Sequence, residues 1–129
     1  MPMSVADVVK VPERIISAWA AQDPDAFAEV FTEKGTLVLP NDVLLKGREE
    51  VRQFMKNAFA GPYAGTRVTG APVDVKVLGE DAAVLVTQGG VLAPGETEVA
   101  RERAITATWV VTREDGEWRL AAYQNTPRF

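Results

Sequence analysis

Residues 22–40, QDPDAFAEVFTEKGTLVLP, and residues 46–59, KGREEVRQFMKNAF, decide how this chain folds. Asp23 reads as a helix N-cap with Pro24 at the first helical position, where a missing N–H costs nothing. Phe27, Val30 and Phe31 supply the buried stripe of that short helix, and Gly35 reads as its C-cap. Residues 36–40 and 43–46 read as two short strands about an Asn41-Asp42 turn. Residues 48–60 then form an amphipathic helix. Val51, Phe54, Met55, Ala58 and Phe59 share one face with charge opposite, and Gly61-Pro62 stops the helix.

Upstream, Val5, Val8, Val9, Ile15, Ile16 and Trp19 recur at helical spacing, so residues 4–21 read as a first helix. Pro12 is expected to kink it or to begin its main portion. Downstream of Thr66 the period changes to strands over 66–78, 82–92, 96–113 and 117–126. Gly79-Glu80-Asp81, Pro94-Gly95 and Asp115-Gly116 supply the turns. Gly70-Ala71-Pro72 and Gly89-Gly90 fall inside strands and mark bulges or bends. Bends in consecutive strands curl a sheet, and a curled sheet facing helices makes a cavity. The expectation is an α+β fold: a single cone-shaped domain over residues 1–129, with three N-terminal helices packed on a strongly curved, mainly antiparallel sheet that encloses a pocket.

Composition excludes several function classes. Lys and Arg number 14 against 18 Asp and Glu, a net charge of −4 with no basic tract, which argues against nucleic acid and anionic lipid as partners. Cysteine is absent, so there is no disulfide framework, thiol nucleophile or thiolate metal site. Histidine is absent as well, which removes zinc-hydrolase sites, Ser-His-Asp triads and His-Asp dehydratases. Acid–base chemistry is left to Asp, Glu, Lys or Tyr. No metal or cofactor is expected. The N-terminal ten residues lack a signal peptide's apolar run and no stretch reaches membrane-spanning length, so a cytoplasmic protein with no membrane partner is the default.

Three stretches carry a resemblance: AWAAQDPDAFAEVF at 18–31, LKGREEVRQF at 45–54 and DGEWRLAAYQNT at 115–126. Together they resemble the nuclear transport factor 2-like superfamily, which includes ketosteroid isomerases and SnoaL-like polyketide cyclases. The match looks nearest to the SgcJ/EcaC-type branch, whose members often lie in secondary-metabolite gene clusters. The resemblance implies a binding pocket but not a reaction, because the fold hosts isomerases, dehydratases, cyclases, binders and scaffolds. By ungapped spacing from Asp23, the isomerases' first-helix tyrosine falls on Ile15 and their general-base aspartate on Leu39. Counted back from Gly116, their protonated oxyanion-hole aspartate falls on Thr108. That chemistry needs a carboxylate to move the proton and two donors to hold the dienolate, and these residues supply neither.

What the resemblance leaves is a cavity lined by Ile15, Trp19, Phe27, Leu39, Phe54, Val84, Val86, Gln88, Thr108, Tyr123 and Asn125. It suits a bulky, mostly apolar ligand of polyketide-like kind. Tyr123 and Asn125 lie two apart on one strand and therefore share a face, where a phenol and an amide could grip a carbonyl or a phenol. If there is catalysis, these two and Gln88 are its candidates, in an isomerase, cyclase or oxygenase-like role. The alternatives are a non-catalytic carrier and a structural dimer module. Asp23-Pro24-Asp25 reads as capping rather than a metal pair, and Asp42 as a turn residue rather than a base. Arg101-Glu102-Arg103 reads as a surface charge run, one arginine of which could close the pocket mouth.

Ile105, Ala107, Trp109, Val111, Trp118 and Leu120 form a more apolar face than Thr106, Thr108, Tyr123 and Asn125. Burial alone makes the first set the core. The resemblance makes it the outer sheet face, where such proteins dimerise. The expectation follows the resemblance: a homodimer anchored by Trp109 and Trp118.

Overall fold

The computed structural model describes residues 5–129. The first helix, α1 (Val5–Ala20), runs through Pro12 without interruption. Proline withholds one N–H from the Val8 carbonyl, but Val8, Val11, Ile15 and Trp19 all bury the same stripe and hold the helix together. In α2 (Pro24–Glu29), the Asp23 carboxylate accepts from the backbone N–H groups of Asp25 and Ala26, both at 3.0 Å.

Gly35 is not the cap of α2. The helix stops at Glu29 and the chain passes directly into β1 (Phe31–Leu39), five residues earlier than the spacing suggests. Two contacts hold that early start: the Leu120 N–H donates to the Val30 carbonyl at 2.8 Å, and the Arg48 guanidinium donates twice to the Phe31 carbonyl. Gly35 sits inside the strand where its pairing is irregular. A Cβ there would stand 2.8 Å from the Leu120 carbonyl oxygen. Asn41 and Asp42, both at positive φ, turn β1 into β2 (Val43–Lys46), and α3 (Arg48–Phe59) follows.

Four long strands complete the sheet: β3 (Arg67–Val77), β4 (Ala82–Leu92), β5 (Ala104–Glu114) and β6 (Glu117–Pro127). The spatial order is β2-β1-β6-β5-β4-β3, antiparallel throughout except for the parallel pair of β1 with β6. The expected strand over 96–103 does not form. Gly95 reverses the chain at φ 83°, the Glu96 carboxylate caps the Ala93 N–H at 2.7 Å and pairs with Arg103, and a single 3₁₀ turn (Arg101–Arg103) precedes β5. The bulge in β3 lies at Val73, just past the Gly70-Ala71-Pro72 run. Gly89 keeps regular pairing but marks a close approach, with β3 backbone where a Cβ would go.

Strand alternation sorts the sheet into two faces. One carries the rows Ala83–Val111–Leu120, Leu85–Trp109–Tyr123 and Thr87–Ala107–Asn125, and packs against the helices. The other carries Val84–Val110–Ala122, Val86–Thr108–Gln124 and Gln88–Thr106–Thr126. This overturns the expected placement of the tryptophans. Trp109 is only 5% exposed and Trp118 packs half-buried against the same core, so neither stands on the outer face. Burial, rather than the resemblance, assigns the inside correctly for β5.

Leu120 and Tyr123 nevertheless both point inward, although strict alternation separates them. The reason is a register slip at Ala121: Leu120 pairs with Val111, and Ala122 with Val110. One extra residue restores Tyr123 and Asn125 to the helix side.

Candidate functional site

Between the helices and the inner sheet face lies a cavity of about 820 Å³. Its walls come from every layer of the fold: Ile15 and Trp19 on α1, Phe27 on α2, Leu37 and Leu39 on β1, Phe54 and Met55 on α3, and Thr87, Ile105, Trp109, Leu120, Tyr123 and Asn125 on β4 to β6. Aromatic rings dominate. Trp19 meets the rings of Phe27, Phe59 and Tyr63 at centroid distances of 6.1, 5.4 and 4.9 Å.

Of the residues named from sequence, Ile15, Trp19, Phe27, Leu39, Phe54, Tyr123 and Asn125 stand in this wall. Val84, Val86, Gln88 and Thr108 do not. They occupy the opposite sheet face, Thr108 exposed and Gln88 at 3.4 Å from the Thr106 hydroxyl. Their inward neighbours Leu85, Thr87 and Trp109 hold the helix side instead, a one-residue parity error that moves a whole strand across the sheet. Sequence reading missed Tyr63, Thr87 and Trp109. The signal for Trp109 was present in the apolar alternation Ile105-Ala107-Trp109-Val111. Tyr63 lies beyond the helix stop and carries no periodic signal.

The polar groups are few and mostly committed. The Trp19 indole donates to the Thr66 hydroxyl at 2.9 Å, which in turn donates to the Tyr63 carbonyl at 2.7 Å. The Trp109 indole donates to the Thr87 hydroxyl at 2.9 Å and stands edge-on to the Tyr123 ring at 4.8 Å. Asn125 Nδ2 donates to the Tyr123 hydroxyl oxygen at 3.0 Å. Asn125 Oδ1 is closed to water and has no partner among the described residues, a condition that typically costs about 1–3 kcal/mol. The reverse amide orientation would strand an NH₂ with two protons in that place, so the present one is preferred.

Burial pushes the Tyr123 phenol above its ordinary range, with the hydrogen bond from Asn125 opposing and the nearby Tyr63 adding to the rise. The group is therefore a neutral phenol at physiological pH. Two charged side chains reach the cavity lining among the described residues, Glu102 and Arg103. Glu102 is largely exposed, and Arg103 is bound by Glu96 and by the Val91 carbonyl at 3.2 Å. The Glu96 carboxyl is held below its usual range by the Ala93 N–H first and Arg103 second. The wall thus offers hydrogen-bond donation and aromatic packing, and no buried carboxylate.

A helix-backed sheet of this order, with an aromatic cavity between helices and sheet, is the fold of the nuclear transport factor 2-like proteins. Residues 4–124 match the SnoaL-like domain, and the chain belongs to that family. Among solved structures, it is similar to a domain of unknown function with a cystatin-like fold from Nostoc punctiforme. The two are 28% identical with a TM-score of 0.87, over 98% of this chain and 80% of that one. An NTF2-like protein from Novosphingobium aromaticivorans shares the fold at 19% identity and a TM-score of 0.81, over 95% of this chain and 80% of the other. A ketosteroid isomerase-like protein from Erwinia carotovora atroseptica does so at 18% and 0.75, over 97% and 96%. No curated protein sequence matches the chain. Among the described residues no helix is long and apolar enough to cross a membrane.

Proposed function

We propose that this protein binds a bulky, mostly apolar small molecule of polyketide-like kind in the cavity, without the acid–base machinery of the ketosteroid isomerases. The observation that carries this reading is the cavity itself. Its volume of about 820 Å³ lies within the roughly 300–1,000 Å³ of small-molecule sites, and its wall is aromatic and aliphatic with a small polar cluster at Tyr123 and Asn125. Ile15 and Leu39 stand in the wall where the resemblance puts the tyrosine and the general base, and neither can donate or accept a proton. Thr108, the third counterpart, faces away from the cavity, so the residue count from Gly116 does not reach an oxyanion-hole position.

Incubation of the protein with polyketide intermediates, followed by mass spectrometry of both bound and released species, tests the reading. A ligand retained through gel filtration and released unchanged identifies a carrier. A mass or chromatographic change in the released species identifies an enzyme, with Tyr123 as the group in contact with substrate. Failure of every apolar candidate to be retained overturns the binding reading.

We also propose a homodimer, formed through the sheet face that carries Val84, Val86, Thr108 and Val110 rather than through the tryptophans. The support is chemical. The three outer rows crossing β4, β5 and β6 hold valine, alanine, threonine and glutamine with no charge among them. Such a face suits isologous packing about a two-fold axis.

A further inference from the structure

From the pairing of Tyr123 with Asn125 we infer that the cavity recognises an uncharged carbonyl oxygen on its apolar ligand, with Tyr123 as the donor and Asn125 as the positioning residue that keeps it a donor. This rests on the binding reading above and specifies the ligand's polar end. A phenol oxygen can accept as well as donate. Here its accepting side is taken by Asn125 Nδ2 at 3.0 Å. Its own proton finds no acceptor among the described residues, although the side chain lines the cavity. The hydroxyl is thus turned into a one-way group whose free valence is O–H.

Donation from Asn125 also polarises that O–H, because accepting a hydrogen bond at oxygen draws electron density toward the lone pair and strengthens the bond the proton makes next. Burial acts on charge, keeping the phenol neutral and disfavouring an anionic ligand beside it. The cation nearest the lining, Arg103, is already bound by Glu96. A carboxylate ligand would therefore lose its hydration without finding a free positive partner. A ketone, quinone or lactone carbonyl loses little on desolvation and gains the Tyr123 hydrogen bond. The aromatic walls of Trp19, Phe27, Phe54 and Trp109 accommodate the ring system that carries it.

Three tricyclic probes test this: 9-fluorenone, fluorene and fluorene-9-carboxylate, each titrated into the full chain by tryptophan fluorescence. Fluorenone should bind about ten-fold more tightly than fluorene or more, and the carboxylate most weakly. In the infrared, the carbonyl stretch of bound fluorenone should lie below its position in an alkane solvent. Tyr123→Phe should abolish both the preference and the shift. Asn125→Leu should give a smaller shift than wild type with Tyr123 still present, a change that a purely structural role for the amide would not produce. If fluorene binds as well as fluorenone and the band sits at its alkane frequency, the carbonyl assignment is overturned and cavity binding stands. If none of the three binds, the binding reading itself falls. The wild-type series decides between these outcomes even where a variant fails to fold.

Discussion

Trp109 fills the core, stands edge-on to Tyr123 and satisfies the buried Thr87 hydroxyl with its indole N–H. Each role has its own energetic signature. Trp109→Phe keeps most of the volume but strands the Thr87 hydroxyl, which is only 3% exposed, and should cost about 1–3 kcal/mol. Trp109→Ala opens a cavity as well and should cost about 3–5 kcal/mol, with both read from urea unfolding. Tyr123 makes a second prediction at this scale. Its folded-state pKa lies above the ordinary value of 10.0, mainly through burial, so the folded state holds the phenol proton more tightly than the unfolded chain does. That contribution is fully present below about pH 10 and is lost as the pH rises from there through the raised folded value. Tyr123→Phe should flatten the alkaline limb of a stability–pH profile without altering the acid limb.

At the scale of elements, glycine marks where strands come nearest. A Cβ on Gly89 would stand 2.0 Å from the Thr69 carbonyl oxygen, and the atom it meets is backbone that cannot swing aside. Gly89→Ala should therefore separate β3 from β4 and lower the thermal midpoint far more than the usual surface substitution, to the point of insoluble expression. The elements themselves were largely legible: the Asp23 cap, the stripe of α3, the Asn41-Asp42 and Asp115-Gly116 turns and the span of β4 all follow from local chemistry. What was not legible came from partners distant in sequence. β1 begins at Phe31 because Leu120 and Arg48 bind the Val30 and Phe31 carbonyls, and residues 96–103 leave the sheet because Glu96 finds Arg103. The slip at Ala121 is equally silent in the sequence, yet it puts Tyr123 and Leu120 on one face. The named residues on the helices, β1 and β6 therefore stand in the cavity wall, whereas those on β4 and β5 face the other side of the sheet, where the family analogy set the parity.

For the whole molecule, the two sheet faces make opposite predictions under the same kind of substitution. Val86→Glu places a charge among the uncharged rows of the outer face on β4 to β6 and should yield a folded monomer by sedimentation, whereas wild type should sediment as a dimer at micromolar concentration. Trp109→Glu buries that charge in the core and should yield an unfolded chain. A wild-type monomer would dispose of the dimer proposal. The parallel pairing of β1 with β6 has a consequence of another kind. β6 is the last strand in chain order, and it is held from the N-terminal half through the Val30, Glu29 and Trp118 carbonyls by Leu120, Arg119 and Arg14. During synthesis β1 must therefore wait, its β6-facing edge unpaired, until β6 has emerged. Only then does the sheet close on its centre strand, bringing Tyr123 and Asn125 with it. The nascent chain consequently spends an aggregation-prone interval with the β1 edge open just before Tyr123 and Asn125 arrive, the stage at which a chaperone would have the greatest effect on yield.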